Sequence, residues 1–269
     1  MEKVKEMEQA RFKRKTITME VLLSQQQKKR FRRAVFYTVL FVLVTVVFLT
    51  VAFVVFFRVR NINITGNARY SVDDIIVSLP VKLEDNLYSF RADELETGLK
   101  KRFPYISEVN VTRKIPSHLN IEIIETDVAM YTEISGDYYL LSDGLRVLDR
   151  IEDPAIIPQG TMELKTSAVK RCIVGESASF IDSRAYDAIV ELYKNITDSG
   201  IKNKIKTIDM TSRFDIYIHY EDRFKVYMGD MEYSDIKIQF LIGIIEKLKA
   251  EDKGRIDVSD YHVATATLS

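Results

Sequence analysis

Three histidines, one cysteine and a short Gly/Ser stretch are the residues of this chain whose types could carry chemistry. A zinc site needs nitrogen or sulfur ligands at short, regular spacing, as in H-E-x-x-H or paired Cys/His clusters. His118, His219 and His262 stand far apart, and none belongs to such a cluster. A nucleophile elbow needs G-x-S-x-G, which sets a serine on a tight strand-to-helix turn. Gly175-Glu176-Ser177-Ala178-Ser179 departs from it at the last position and reads as a polar loop. Cys172 has no base near it in sequence and reads as a small buried hydrophobe. Neither G-x-G-x-x-G nor a P-loop occurs, and Asp and Glu are scattered beside Lys or Arg as on a solvated surface. Asn63-Ile64-Thr65, Asn110-Val111-Thr112 and Asn195-Ile196-Thr197 match the glycosylation sequon, a pattern short enough to arise by chance. These motifs assign no catalytic, cofactor-binding or metal-binding residue, and the expectation is a protein that is not an enzyme. Acid/base pairs built from distant positions lie beyond such a reading.

The elements that would have to position any chemistry are organised around one apolar run. It begins at Ala34 and ends at Phe57, AVFYTVLFVLVTVVFLTVAFVVFF, without charge, Gly or Pro. At ~1.5 Å per residue its helix would be about 36 Å long, against a hydrocarbon core of roughly 30 Å. A modest tilt absorbs the excess. A helix apolar on every side has no reason to sit in water, so the run is expected to cross a lipid bilayer once. A cleaved signal peptide would have a shorter apolar core and small residues before the cut. Val55-Phe56-Phe57-Arg58 offers none.

The net charge of zero hides an asymmetry. Residues 1–33 hold 11 of the 39 basic and 4 of the 39 acidic residues, so the tail is +7 and the remainder −7. Basic residues beside a span stay in the cytoplasm. Lys28, Lys29, Arg30, Arg32 and Arg33 crowd that edge, against Arg58 and Arg60 on the other. The N-terminus is therefore expected inside and the C-terminus outside. The tail, in which residues 18–23 could form a short helix, reads as a topogenic segment touching anionic lipid. It lacks aromatic interleaving and a recognition helix, which argues against nucleic acid. A lone Cys172 allows no intramolecular disulfide, so the outer region must fold on a hydrophobic core.

That region reads as α+β. Val59, Ile62 and Ile64 lie in a strand ended by Gly66-Asn67. Ser71 with Asp74 forms an S-x-x-D cap, followed by Ile75, Ile76 and Leu79 on a short helix that Pro80 stops. A second helix is expected from near Asp93, with Glu96 at the capping-box position and Leu95, Leu99 and Phe103 on one face. Val109 and Val111, then Leu119, Ile121 and Ile123, alternate at strand period around a turn at 114–118. Two helices on a three-stranded sheet would bury these residues together. Further on, Ser142-Asp143-Gly144 between Tyr138-Tyr139-Leu140-Leu141 and Leu145-Arg146-Val147-Leu148 signals a hairpin. A helix is expected over Ser183–Asp198 with Gly200 as C-cap, and strands over 205–209, 214–220 and 224–228. A last helix is expected over 234–250, with Ile236, Phe240, Ile244 and Leu248 as its stripe and Gly254 as its breaker. Two β-like runs, 255–260 and 263–268, finish the chain.

The segment FRVRNINITGNARYSVDDII directly after the span resembles the opening of the FtsQ/DivIB family of bacterial cell-division proteins. LETGLKKRFPYISEVNVTRKIPSHLNIEIIE is similar to the second helix and hairpin of that family's POTRA domain, and YYLLSDGLRVLDR to the start of its β domain. YMGDMEYSDIKIQFLIGIIEKLK and GRIDVSDYHVATATLS are similar to its closing strand, helix and strand. Where the family often has an Asp-Leu-Arg-Tyr-like segment, this chain has Asp257-Val258-Ser259-Asp260. The resemblance implies a basic cytoplasmic tail (1–33), a transmembrane helix (34–57), a β-α-α-β-β POTRA domain (58–126) and a mixed β domain with an extended antiparallel sheet (127–269). It also implies a septal, non-catalytic scaffold without cofactors, binding FtsL-like and FtsB/DivIC-like single-span proteins and, through them, septal peptidoglycan synthases. The alternatives are a POTRA-bearing envelope transport or assembly protein, which usually repeats the POTRA unit, and a membrane-anchored envelope hydrolase.

The stretch Val263, Ala264, Thr265, Ala266, Thr267, Leu268, Ser269 has no charge and no proline. At a sheet edge it would lack the usual defences against pairing, and β-augmentation by a partner segment becomes the expectation. With the neighbouring run it gives the candidate partner-binding residues Arg255, Ile256, Val258, Tyr261, Val263, Ala264, Thr265, Ala266 and Thr267. A reading in which the strand pairs only internally stands beside it. A second edge is expected in the first sheet, at 119–123 or 59–64.

Overall fold

A computed structural model describes residues 30–166 and 169–269 of the chain. Most of the basic tail, and the short helix considered for 18–23, lie outside the described residues.

Helix α1, Arg30–Phe56, has a mean hydropathy of 3.1 and none of its apolar window is buried against the protein. The hydroxyls of Thr38, Thr45 and Thr50 donate to the carbonyls of Ala34, Phe41 and Val46 at 2.8–2.9 Å. Those polar groups are thus satisfied inside the helix, as a lipid surrounding demands. Among the described residues this is the one helix long and apolar enough to cross a membrane.

The first extramembranous unit contains β1 (Asn61–Thr65), α2 (Val72–Ser78), α3 (Ala92–Arg102), β2 (Ile106–Lys114) and β3 (His118–Glu125). Ser71 caps α2: its Oγ accepts from Asp74 N at 3.1 Å and donates to the Asp74 carboxylate at 2.6 Å. Ile75 and Leu79 are buried, whereas Ile76 points to solvent. Helix α3 starts one residue before the expected Asp93, behind an Arg91 N-cap that makes no side-chain capping bond. Asp93 instead pairs with Arg91 at 2.6 Å and Glu96 with Lys100 at 2.7 Å. The sheet order is β1-β3-β2, with β1 parallel and β2 antiparallel to β3. The α2–α3 crossover makes the parallel pair, as such connections do. Of the two places expected for an open edge, β1 (Asn61–Thr65) is at the edge of the sheet and 119–123 is not. Strand β3 is central and Ile121 fully buried, so 119–123 has no open edge.

The second unit holds a nine-stranded sheet in the order β14-β13-β12-β11-β10-β7-β4-β5-β6. Its strands are β4 (Met130–Ile134), β5 (Asp137–Leu141), β6 (Val147–Ile151), β7 (Met162–Thr166), β10 (Ile205–Met210), β11 (Ile216–Tyr220), β12 (Phe224–Gly229), β13 (Gly254–Asp257) and β14 (Thr265–Leu268). A separate small ribbon pairs β8 (Val169–Arg171) with β9 (Ser179–Phe180). The large sheet is mixed. Helix α4 (Ser183–Asp198) crosses between the parallel strands β7 and β10, and α5 (Ser234–Ile245) between the parallel strands β12 and β13. The remaining neighbours are mostly antiparallel. Ile189, Leu192 and Ile196 of α4 and Ile238 and Leu241 of α5 share one core with Ile208, Ile218, Val226 and Ile256.

Helix α5 departs from its expected form in two ways. It ends at Ile245, where bonds from Lys247 N to Ile244 O and Leu248 N to Ile245 O tighten the chain into three-residue turns. Its buried stripe is Ser234, Lys237, Ile238 and Leu241, while Ile236 is exposed and Phe240 and Ile244 only half-buried. The helix is apolar on several sides, so its periodicity could not say which side the sheet would cover. Lys237 reaches the core because its ammonium bonds Asp230, at 2.9 Å to Oδ1 and 3.0 Å to the carbonyl.

The two units are packed together. Arg146 donates to the carbonyls of Ile106, at 3.3 Å, and Lys100. Tyr105 of the first unit is buried with Leu140, Leu148 and Ile151 of the second. A side chain at Gly175 would come within 3.0 Å of Lys101 O.

Candidate partner-binding edge

Strand β14 is the outermost strand of the large sheet and, among the described residues, pairs only with β13. The register sets Gly254 opposite Leu268, Arg255 opposite Thr267, Ile256 opposite Ala266 and Asp257 opposite Thr265. All four β14 residues are exposed. Its second edge therefore offers backbone N–H and C=O groups without a neighbouring strand, and none of its side chains is charged or imino.

Local chemistry brings this strand back onto β13. Asp257 Oδ1 accepts from Ser259 N at 3.0 Å and Ser259 Oγ at 2.7 Å, and Asp260 Oδ1 accepts from His262 N at 2.8 Å. These Asx-type turns reverse the chain within a few residues. Val258 N donates to Tyr227 O at 2.9 Å and carries the pairing one residue beyond β13. Gly254 opens β13 at φ +152°, and a Cβ there would lie 2.0 Å from Thr267 O. The close approach of the two strands is thus open to glycine alone. At the far end, Ser269 N donates to Lys253 O at 2.9 Å.

The sequence-predicted residues divide by strand alternation. Ile256 and Val258 are fully buried, so their side chains serve the core and cannot touch a partner. Arg255 is exposed, with its guanidinium 5.4 Å from the centre of the Tyr227 ring. Ala264 is half-buried against the core. Thr265, Ala266 and Thr267 lie on β14, and Val263 is 59% exposed. Tyr261 stacks on Tyr233, with ring centres 4.4 Å apart. The reading of Gly254 as a helix breaker is corrected: it opens β13, and a Cβ there would meet the β14 backbone. A lone Gly leading a β-like run was the available signal. Tyr233, in a left-handed conformation just before α5, had none.

The surroundings give the edge two unlike ends. Beside Gly254 and Ser269 a hollow of about 500 Å³ is lined by Lys206, His219, Arg223, Lys225 and Lys253, with Glu221 and Asp222. At the other end a hollow of about 310 Å³ is lined by Asp230, Glu232, Asp260 and Tyr261, with Lys237. Lys237 holds the Asp230 carboxyl below its usual range. Burial, with Lys225 and Lys165 nearby, holds the His219 imidazole below its own.

Elsewhere the chemistry-bearing residues stay apart. His118 opens β3, His219 lies in β11 and His262 in the β13–β14 connection. Among the described residues no group of three or more His, Cys, Asp or Glu is placed to hold a metal ion. Cys172 packs against the core, and burial pushes its thiol up to about 11, far from a thiolate.

Residues 57–126 match the family model described as POTRA domain, FtsQ-type. Over 249 residues the chain is 26% identical to the cell division protein DivIB of Clostridium botulinum (strain Hall), spanning 90% of this chain and 93% of that protein. It is 24% identical over 213 residues to the cell division protein FtsQ of Corynebacterium glutamicum, spanning 78% and 88%. It is 26% identical over 208 residues to DivIB of Clostridium acetobutylicum, spanning 76% and 80%. Residues 57–126 thus carry the FtsQ-type POTRA domain, and the chain over most of its length is similar to the FtsQ/DivIB family. It is a division protein of α+β architecture, carried on a single apolar anchor.

Proposed function

We propose that this FtsQ/DivIB-type chain is a non-enzymatic scaffold of the division machinery. Its basic tail (1–33) lies in the cytoplasm, its span (34–57) fixes it at the septum, and its POTRA domain (58–126) and β domain (127–269) work outside. The β domain captures FtsL-like and FtsB/DivIC-like single-span proteins by β-augmentation on β14, and through them acts on septal peptidoglycan synthases. The observation that carries this reading is the uncharged, exposed outer strand β14, which among the described residues has one neighbouring strand. Backbone pairing would supply affinity there, and the side chains of Arg255, Tyr261, Val263, Thr265 and Thr267 specificity. The basic and acidic hollows at opposite ends favour one direction for the incoming strand.

Capture of partner ectodomains by the full chain tests this. Deletion of residues 263–269, or Ala264→Pro, is expected to reduce capture at least tenfold while the POTRA domain keeps its fold by circular dichroism and proteolysis. Equal capture by parent and variants would remove β14 as the docking strand.

A further inference from the structure

The end of the POTRA domain from which α1 leaves is built from three segments locked to one another. Leu87 N donates to Phe57 O at 2.7 Å, Val59 N to Asp85 O and Glu84 N to Val59 O at 2.8 Å, so the 82–88 loop is stitched to the helix exit. Arg60 N and Asn61 N both donate to Ser117 O, at 2.8 and 3.3 Å, which brings the β2–β3 turn to the same place. Tyr88 closes the joint. Its ring lies 5.6 Å from that of Phe53 and 5.5 Å from that of Phe57, at the end of the span. The domain therefore does not swing freely on its anchor. A residue touching Phe53 must sit at the bilayer boundary, the level that tyrosine favours.

This end is also apolar and basic where none of the described residues covers it. Leu83 is 59% and Ile115 65% exposed, each at the tip of its loop. Arg60, Lys82 and Lys114 are exposed around them. Of the acidic residues here, Glu84 is paired with Arg58 at 3.4 Å and Asp85 accepts from Lys82 N at 2.7 Å.

We infer that this face rests on the anionic phospholipid surface from which α1 emerges. Leu83 and Ile115 reach the acyl boundary, and Arg60, Lys82 and Lys114 lie among the headgroup phosphates. The face is continuous with the membrane span, and its charge is complementary to anionic headgroups. The docking fixes the tilt of the POTRA domain on the bilayer. It rests on α1 crossing the membrane and is independent of the partners assigned to β14.

The test uses the full chain in nanodiscs of phosphatidylcholine alone or with phosphatidylglycerol, carrying Cys172→Ser and a single fluorophore through Ile115→Cys. Labels through Thr45→Cys, inside the span, and Phe214→Cys, an exposed site in the β domain, are controls. Shielding of the label at 115 from an aqueous quencher is expected in phosphatidylglycerol discs, while the label at 214 stays fully quenched. Each basic group beside an anionic surface raises the docked population roughly fivefold. Arg60→Glu with Lys82→Glu and Lys114→Glu should therefore abolish the shielding at 115 and leave that at 45 intact. Equal quenching at 115 and 214, or shielding at 115 that ignores both lipid charge and the triple reversal, overturns the inference. Quenching at 45 would overturn the membrane span as well.

Discussion

The sharpest prediction concerns Gly254, because it separates the hold on β14 from the stability of the sheet. A methyl at this position would sit 2.0 Å from Thr267 O and 3.0 Å from Leu268 Cα, both backbone atoms that cannot rotate away. The φ of +152° is also unfavourable for any residue with a Cβ. Such backbone strain costs on the order of 1–3 kcal/mol. Strand β14 has little with which to resist it. Backbone hydrogen bonds contribute roughly 0.5–1.5 kcal/mol each, while ordering costs about 1–2 kcal/mol per residue, and its side chains add little burial. The strand is therefore close to balance, and Gly254→Ala should raise its opening by about 5- to 150-fold. Ile256 and Val258 remain buried beneath α5, so β11 and β12 should hold. Hydrogen–deuterium exchange of the full chain provides the assay. Peptides covering 263–269 should exchange faster by that factor, while those covering 216–229 are unchanged. Unaltered exchange at 263–269 would refute the steric argument. Accelerated exchange with undiminished partner capture would refute β14 as the docking strand.

Two other predictions concern the body of the protein. Arg146→Ala removes the guanidinium that donates to Ile106 O and Lys100 O across the two domains; at roughly 1.5–3 kcal/mol for a charged donor, it should split one calorimetric transition into two, and a single unshifted transition would count against this clamp. Asp230→Asn leaves the Lys237 ammonium buried beside a weaker partner, and should cost about 1–2 kcal/mol at pH 7, discounted from a buried pair because the Asp230 side chain is 46% exposed. The Asp230 carboxyl is held below its usual range, so its contribution is fully present above the ordinary carboxylate pKa and fades as pH falls through the depressed value. Denaturant titrations of parent and variant should therefore converge in acid, and a difference that stays constant as the carboxyl is protonated would contradict the assignment.

The sequence by itself determined what depends on neighbours along the chain. The apolar run from Ala34 to Phe57 needs no tertiary partner to be a helix in lipid, and α1 covers it. Ser71 and Asp74 cap α2 as their spacing requires, and α4 runs over Ser183–Asp198 with its buried face at Ile189, Leu192 and Ile196. Hydrophobic period, cap and turn chemistry are local signals, so they survive without the fold. Short strands carry weaker local signals. Strand β4 and its Ser135-Gly136 turn, and strands β7, β8 and β9, emerge only once their neighbours pair with them.

Only the tertiary structure decided which edges are open. Nothing along residues 119–123 says that β1 will cover one side of β3 while β2 covers the other. The uncharged run at 265–268 could equally have been an inner strand; its outermost place follows from α5, which returns the chain to the free side of β12. Strand alternation then sent Ile256 and Val258 into the core and left Arg255 outside, and the closeness of β14 turned Gly254 from an apparent helix breaker into the contact point of two strands. Each of these outcomes is a pairing between residues far apart in sequence, and periodicity reports a strand's two faces but not its neighbours.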